Sequence, residues 1–134
     1  MVDFALILLT YKGKVLLTFQ GDNSNVLNNA IWHFIGGIKQ KNKSEIETIT
    51  KLVERETGIK LASVDFLSKQ SLKDISEHLY WAKLTDDNVN NMDRGEGQLI
   101  NFYSVAELEN LCLSTSTKHF ISKHSELLKN IRND

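Results

Sequence analysis

Two adjacent glycines, Gly36 and Gly37, follow the run Trp32-His33-Phe34-Ile35. Backbone without side chains can approach a ligand or a metal closely. The same pair also suits a plain tight turn between a strand and a helix. Just downstream, Lys39, Lys41 and Lys43 alternate in a polar loop. They read either as a solvated loop or as an electrostatic attractor for phosphates, helped by the helix N-terminus that follows. Trp32 and Phe34 offer rings on which a nucleotide base can stack, although aromatics on a short strand also fill cores. The histidines His33, His78, His119 and His124 show no metal-ligand spacing. The single cysteine, Cys112, can form neither an internal disulfide nor a thiolate cluster, and reads as a small buried hydrophobe.

These residues need elements to position them. Ser44-Glu45-Ile46-Glu47 is a capping box. It predicts a helix from about Glu45 to Thr57, closed by Gly58 in a left-handed cap. Ile46, Ile49 and Val53 form its apolar stripe, with Leu52 at the edge. Upstream, Phe4 to Tyr11 reads as a buried strand, Lys12-Gly13-Lys14 as a turn and Val15 to Gln20 as the return strand. Ile31 to Ile35 is a short strand running into the glycine pair. Val64 to Phe66, Glu77 to Leu84 and Leu99 to Tyr103 read as further strands, and residues 85–97 as a loop. Ser104-Val105-Ala106-Glu107 is a second capping box opening a short helix, and Thr117 to Ile131 is an amphipathic terminal helix. This mixture favours an α/β sandwich over a bundle or barrel. Strand and helix do not alternate regularly, which argues against a doubly wound parallel sheet.

The chain has 134 residues, 41% hydrophobic and 25% charged, which suits one domain over residues 1–134. Lys plus Arg is 16 against Asp plus Glu at 17, for a net charge of −1. That balance argues against a dedicated nucleic-acid binder and against an acidic disordered tail. No apolar run approaches the roughly 20 residues of a membrane span. Asp3 stands where a secretory leader would be positive, so a cytoplasmic protein is expected.

The segment from Trp32 to Gly37, followed by Gly58-Ile59 after an intervening 20 residues, resembles the Nudix (MutT-like) hydrolase family. The family signature is G-x5-E-x7-R-E-U-x-E-E-x-G-U, where U is bulky and apolar. Gly37, Val53, Glu56, Gly58 and Ile59 match it. Outside the box, Val15-Leu16-Leu17 resembles the family's second strand. Gly95-Glu96-Gly97-Gln98 and the stretch from Asn101 to Leu108 resemble its closing strand and helix. The resemblance implies a Nudix-type α/β/α sandwich with a central mixed sheet. It implies a nucleoside diphosphate-linked or nucleoside triphosphate ligand. It also implies water attack on a pyrophosphate bond, assisted by magnesium or manganese.

The box is degenerate. Lys43 stands for its first glutamate, Lys51 for its arginine, and Leu52 and Arg55 for metal-binding glutamates. Ile35 replaces a common proline, Asn42 a common glycine, and Gln20 an arginine frequent in relatives. At about 100° per residue, positions 52, 55 and 56 share a helical face. That face offers one carboxylate (Glu56), one alkyl group and one cation that does not deprotonate. Glu54 points nearly the opposite way, and Glu45 lies roughly 16 Å back along the axis. By resemblance, Glu96 is the better second acid. An active enzyme would therefore use Glu56 and Glu96 as catalytic residues, with Gly37, Glu56 and Glu96 holding Mg2+ or Mn2+. Arg55, Lys39, Lys43 and Phe34 are the expected substrate contacts. Arg55 also reads as a plain cation near a helix C-terminus. The leading expectation is a nucleotide-type ligand with hydrolysis weak or lost. The alternatives are an active pyrophosphohydrolase and a non-catalytic protein- or RNA-interaction module. The oligomeric state is not legible.

Overall fold

The computed structural model describes residues 2–20, 31–93 and 99–131. Strands β1 (Val2–Tyr11) and β2 (Lys14–Gln20) form the expected hairpin. Its turn is tight because Lys12 and Gly13 both take positive φ, 48° and 78°. The two strands pair at the tip, Thr10 with Val15 and Tyr11 with Lys14, and then take different partners. The next strands are β3 (Ile31–His33), β4 (Ile35–Ile38), β5 (Asp65–Leu72), β6 (Ile75–Lys83) and β7 (Leu99–Ser104). β1 lies between antiparallel β4 and parallel β6, and β5 pairs with β6. β2 pairs antiparallel with β3 and with β7. The product is an open, mixed, seven-stranded sheet.

Helix α1 (Glu45–Thr57) covers one face, and α3 (Thr115–Lys123) and α4 (Ser125–Ile131) cover the other. A strand buried on both faces reads as a continuous apolar run, which is what Ala5 to Leu9 shows. Its side chains alternate between the layers. Ala5, Ile7 and Leu9 pack with Ile49 and Val53 of α1. Leu6 and Leu8 pack with Phe120 and Leu128. The layering is the α/β/α sandwich implied by the resemblance. Among the described residues no helix is long and apolar enough to cross a membrane.

Several expected elements differ. The strand from Ile31 to Ile35 breaks at Phe34, where the chain passes from β2 to β1. The Phe34 amide donates to Thr117 Oγ1 at 3.1 Å, and its ring meets Phe120 edge-on, centroids 5.0 Å apart. The residue is 0% exposed. Phe34 therefore offers no face to a base, and the stacking role expected of it is corrected to a core role. Cys112 is exposed, not buried. β5 runs further than Phe66 because Lys73, at φ 53°, turns it directly into β6. The second capping box forms, with Glu107 N–H donating to Ser104 Oγ and Ser104 N–H to Glu107 Oε1. It opens a 3-10 turn over Ala106–Asn110. The loop expected at 85–97 contains a one-turn helix, α2 (Asp86–Asn90), capped by Thr85. The terminal helix is interrupted at His124.

Phe34→Ala should destabilise the fold by about 3–5 kcal/mol, the usual range for a truncated core aromatic. Equilibrium denaturation measures this. A loss below about 1 kcal/mol would contradict the core assignment.

Candidate functional site

Both ends of α1 are fixed locally. Ser44 Oγ accepts from Glu47 N–H at 3.1 Å. Gly58 closes the helix at φ 77°, and its N–H donates to Glu54 O at 2.8 Å. Ile49, Val53 and Thr57 are buried along one stripe. That anchoring aims the neighbouring stripe, Lys51, Leu52 and Arg55, at β4.

The β4 glycines let the helix come close. In the ladder Gly36 faces Leu6 and Gly37 faces Ala5. A Cβ at Gly36 would lie 2.8 Å from Ala5 O and 2.6 Å from Leu6 Cδ1, so any side chain there would push β4 off β1. A Cβ at Gly37 would meet Leu52 Cδ2 at 3.0 Å. The Leu52 side chain thus lies over the Gly37 backbone. Asn42 takes φ 70°, a left-handed turn that asparagine tolerates, at the position where the family commonly has glycine.

Between β4 and α1 is a cavity of about 380 Å³. Gly36, Gly37 and Leu52 line it together with Lys43, Lys51 and Arg55. The Lys51 ammonium beside Lys43 holds Lys43 below its ordinary value. Among the described residues, none of these cations has a carboxylate within ion-pair distance.

Glu56 is placed differently. It is half-buried and is not among the residues lining the cavity by Gly37. Burial pushes its carboxyl up, and the charges of His33 and Arg55 partly oppose the shift. The His33 ring is itself held in place, with Nδ1 2.9 Å from Phe34 O. Lys39 also does not line the cavity, and its backbone N–H is tied to Asp3 O at 2.8 Å. Glu96 lies outside the described residues. Of the expected site residues, the structure therefore brings together Gly37, Lys43 and Arg55. Phe34 is in the core, and Lys39 and Glu56 are not among the residues lining the cavity, although Glu56 still feels the Arg55 charge. Lys51, which is not among the expected substrate contacts, also lines the cavity. Its spacing of four residues from Arg55 is the signal that finds it.

A divalent cation such as magnesium requires oxygen ligands. Beside Gly37 the cavity is lined by two ammonium groups, a guanidinium and a leucine, and its side-chain oxygens are the neutral ones of Gln40 and Thr48, with no carboxylate. This donor set does not fit the metal that the fold family implies. Among the described residues, no His, Cys, Asp and Glu side chains gather in threes as a metal centre.

No protein-family model and no curated protein matches the sequence. Solved structures do match it. A mutT/nudix family protein from Listeria innocua superposes with a TM-score of 0.78 at 14% identity, covering 96% of this chain and 94% of that one. The chain has the Nudix fold. MutT, from structures of the Aliivibrio salmonicida and Vibrio cholerae proteins, gives a TM-score of 0.71 at 15% identity over 98% of this chain and 97% of that one. The NUDIX domain of Shewanella oneidensis NrtR, crystallised with ADP ribose, gives 0.69 at 15% identity over 96% and 88%. Identities this low carry the architecture and not the activity. On this Nudix fold, the helix closed by Gly58 turns cations and an alkyl group toward the glycine cavity.

The raised Glu56 carboxyl makes a pH prediction. Its folded form holds a proton more tightly than the unfolded chain does, so its ionised form costs stability above the raised value. The cost fades as pH falls toward the ordinary glutamate range near pH 4.3. Glu56→Gln should therefore raise the melting temperature at pH 7 and leave it unchanged below about pH 4. A melting temperature lowered by the substitution at pH 7 would contradict this environment.

Proposed function

We propose that this Nudix-fold chain, acting as one domain, binds a nucleoside diphosphate-linked or nucleoside triphosphate ligand and hydrolyses it weakly or not at all. The observation that carries the reading is the cationic cavity against Gly36 and Gly37. Lys43, Lys51 and Arg55 supply charge-assisted donors suited to phosphate oxygens. Lys39 and Lys41 add positive potential around the entrance loop. The glycine backbone gives the ligand a floor without side chains. A similarly folded domain crystallised with ADP ribose supports a nucleotide-type ligand. Weak hydrolysis follows from Leu52 and Arg55, which offer no oxygen to a metal. A free nucleotide as ligand fits a cytoplasmic protein.

One observation favours a second reading. Glu56 is a half-buried carboxyl with a raised affinity for protons, placed next to His33. Perturbed acids of this kind serve as bases or ligands in active sites. With Glu96, and with Mg2+ or Mn2+ when bound, Glu56 would make the chain an active pyrophosphohydrolase.

A panel of ADP-ribose, nucleotide sugars and nucleoside triphosphates separates the readings. The expected result is saturable binding by calorimetry with turnover below about 0.01 s⁻¹, far under the common enzyme value of about 10 s⁻¹. Turnover near 10 s⁻¹ that Glu56→Gln abolishes would establish the second reading instead.

A further inference from the structure

We infer that the cavity between β4 and α1 holds a pyrophosphate group directly on Lys43, Lys51 and Arg55, with these cations in the place of a divalent metal. The inference rests on the proposed nucleotide-type ligand and adds how its phosphates are held. Three independent features support it.

Lys43 is badly placed as a mere surface charge. It immediately precedes the N-cap Ser44, at the positive end of the α1 dipole, where acidic groups are favoured. It also faces the Lys51 ammonium, which eases its deprotonation and which the more weakly acting Glu47 only partly opposes. Lys51 and Arg55 are in turn like charges four residues apart on one helix, a spacing that destabilises an isolated helix. Arg55 alone has a structural reason, since a cation in the last turn suits the helix dipole. A bound dianion converts every one of these repulsions into attraction.

The cavity is shaped for an anion and closed to a metal. Its floor is bare backbone at Gly36 and Gly37. Leu52 covers the Gly37 backbone, so the position from which a carboxylate would reach a metal is filled by methyl groups. A divalent ion entering here would meet fixed positive charge, the neutral oxygens of Gln40 and Thr48, and no anionic ligand among the lining residues.

The charges are available. Among the described residues none of the three has a carboxylate within ion-pair distance, and Glu47 and Glu56 act on Lys43 and Arg55 only at longer range. The backbone carrying Lys51 and Arg55 is held from behind by the buried Ile49, Val53 and Thr57 and by caps at both helix ends.

Isothermal titration calorimetry with inorganic pyrophosphate and with ADP-ribose tests the inference, in EDTA and again in magnesium or manganese. The full chain should bind in EDTA, and divalent ions, which complex the free ligand, should weaken binding. Lys51→Ala and Arg55→Ala should each weaken binding by about tenfold, the loss of one charge-assisted contact. Lys51→Arg should stay within about threefold of wild type, since the charge is kept. Circular dichroism confirms that each variant is folded. Binding that requires a divalent ion would overturn the inference and leave the proposed ligand class standing. Binding in EDTA that Lys51→Ala and Arg55→Ala leave unchanged would also overturn it, because the ligand would then sit elsewhere. No binding of either probe under any condition would overturn both.

Discussion

The contact on which the site depends is the close approach of α1 to the glycines of β4. Gly36 fits against Ala5 and Leu6 of the central strand with no room for a side chain. Gly37 presents its backbone to Leu52. Ile49 and Val53 bury beside Ala5 and Ile7 and fix the helix in rotation as well as distance. Once that rotation is fixed, the identities at positions 51, 52 and 55 decide what the cavity can do. A shift of the helix by one residue would bury Lys51 or expose Val53, so apolar burial also sets the electrostatics.

The residues that make the fold and those that make its chemistry have separated in this chain. The glycines, the caps at Ser44 and Gly58, and the buried stripe of α1 all serve packing or backbone conformation. Lys43, Lys51 and Arg55 are outside the core, and Leu52 packs at its edge over the Gly37 backbone. They have inverted the charge that the family signature implies. On the proposed reading, that inversion changes the ligand the cavity prefers from a metal ion to an anion while the fold is kept. Glu56 matches the signature's residue type, but it is half-buried within reach of the His33 charge, and burial works against its ionisation.

Local signals in the sequence were readable because their physics is local. The β1–β2 hairpin, the capping box at Ser44 and the left-handed cap at Gly58 involve residues within a few positions of each other. The break at Phe34 was not readable, because it depends on two strands that part company and on Thr117 from the opposite layer. The same holds for β5, whose polar second half pairs with β6 while one face stays exposed. At the site, spacing sufficed for Arg55 and Lys43. A helical wheel could not separate Glu56 from Leu52 and Arg55, since all three share a face. What distinguishes them is their surroundings: Leu52 meets the Gly37 backbone, and Glu56 is half-buried within reach of the charges of His33 and Arg55.

The most direct test of anion-for-metal replacement is a crystal structure grown with manganese and pyrophosphate together, with diffraction recorded at the manganese absorption edge. The account predicts phosphate density touching Lys43, Lys51 and Arg55 and no anomalous peak in the cavity. A manganese peak against the Gly37 backbone, bridging to the phosphate, would contradict it.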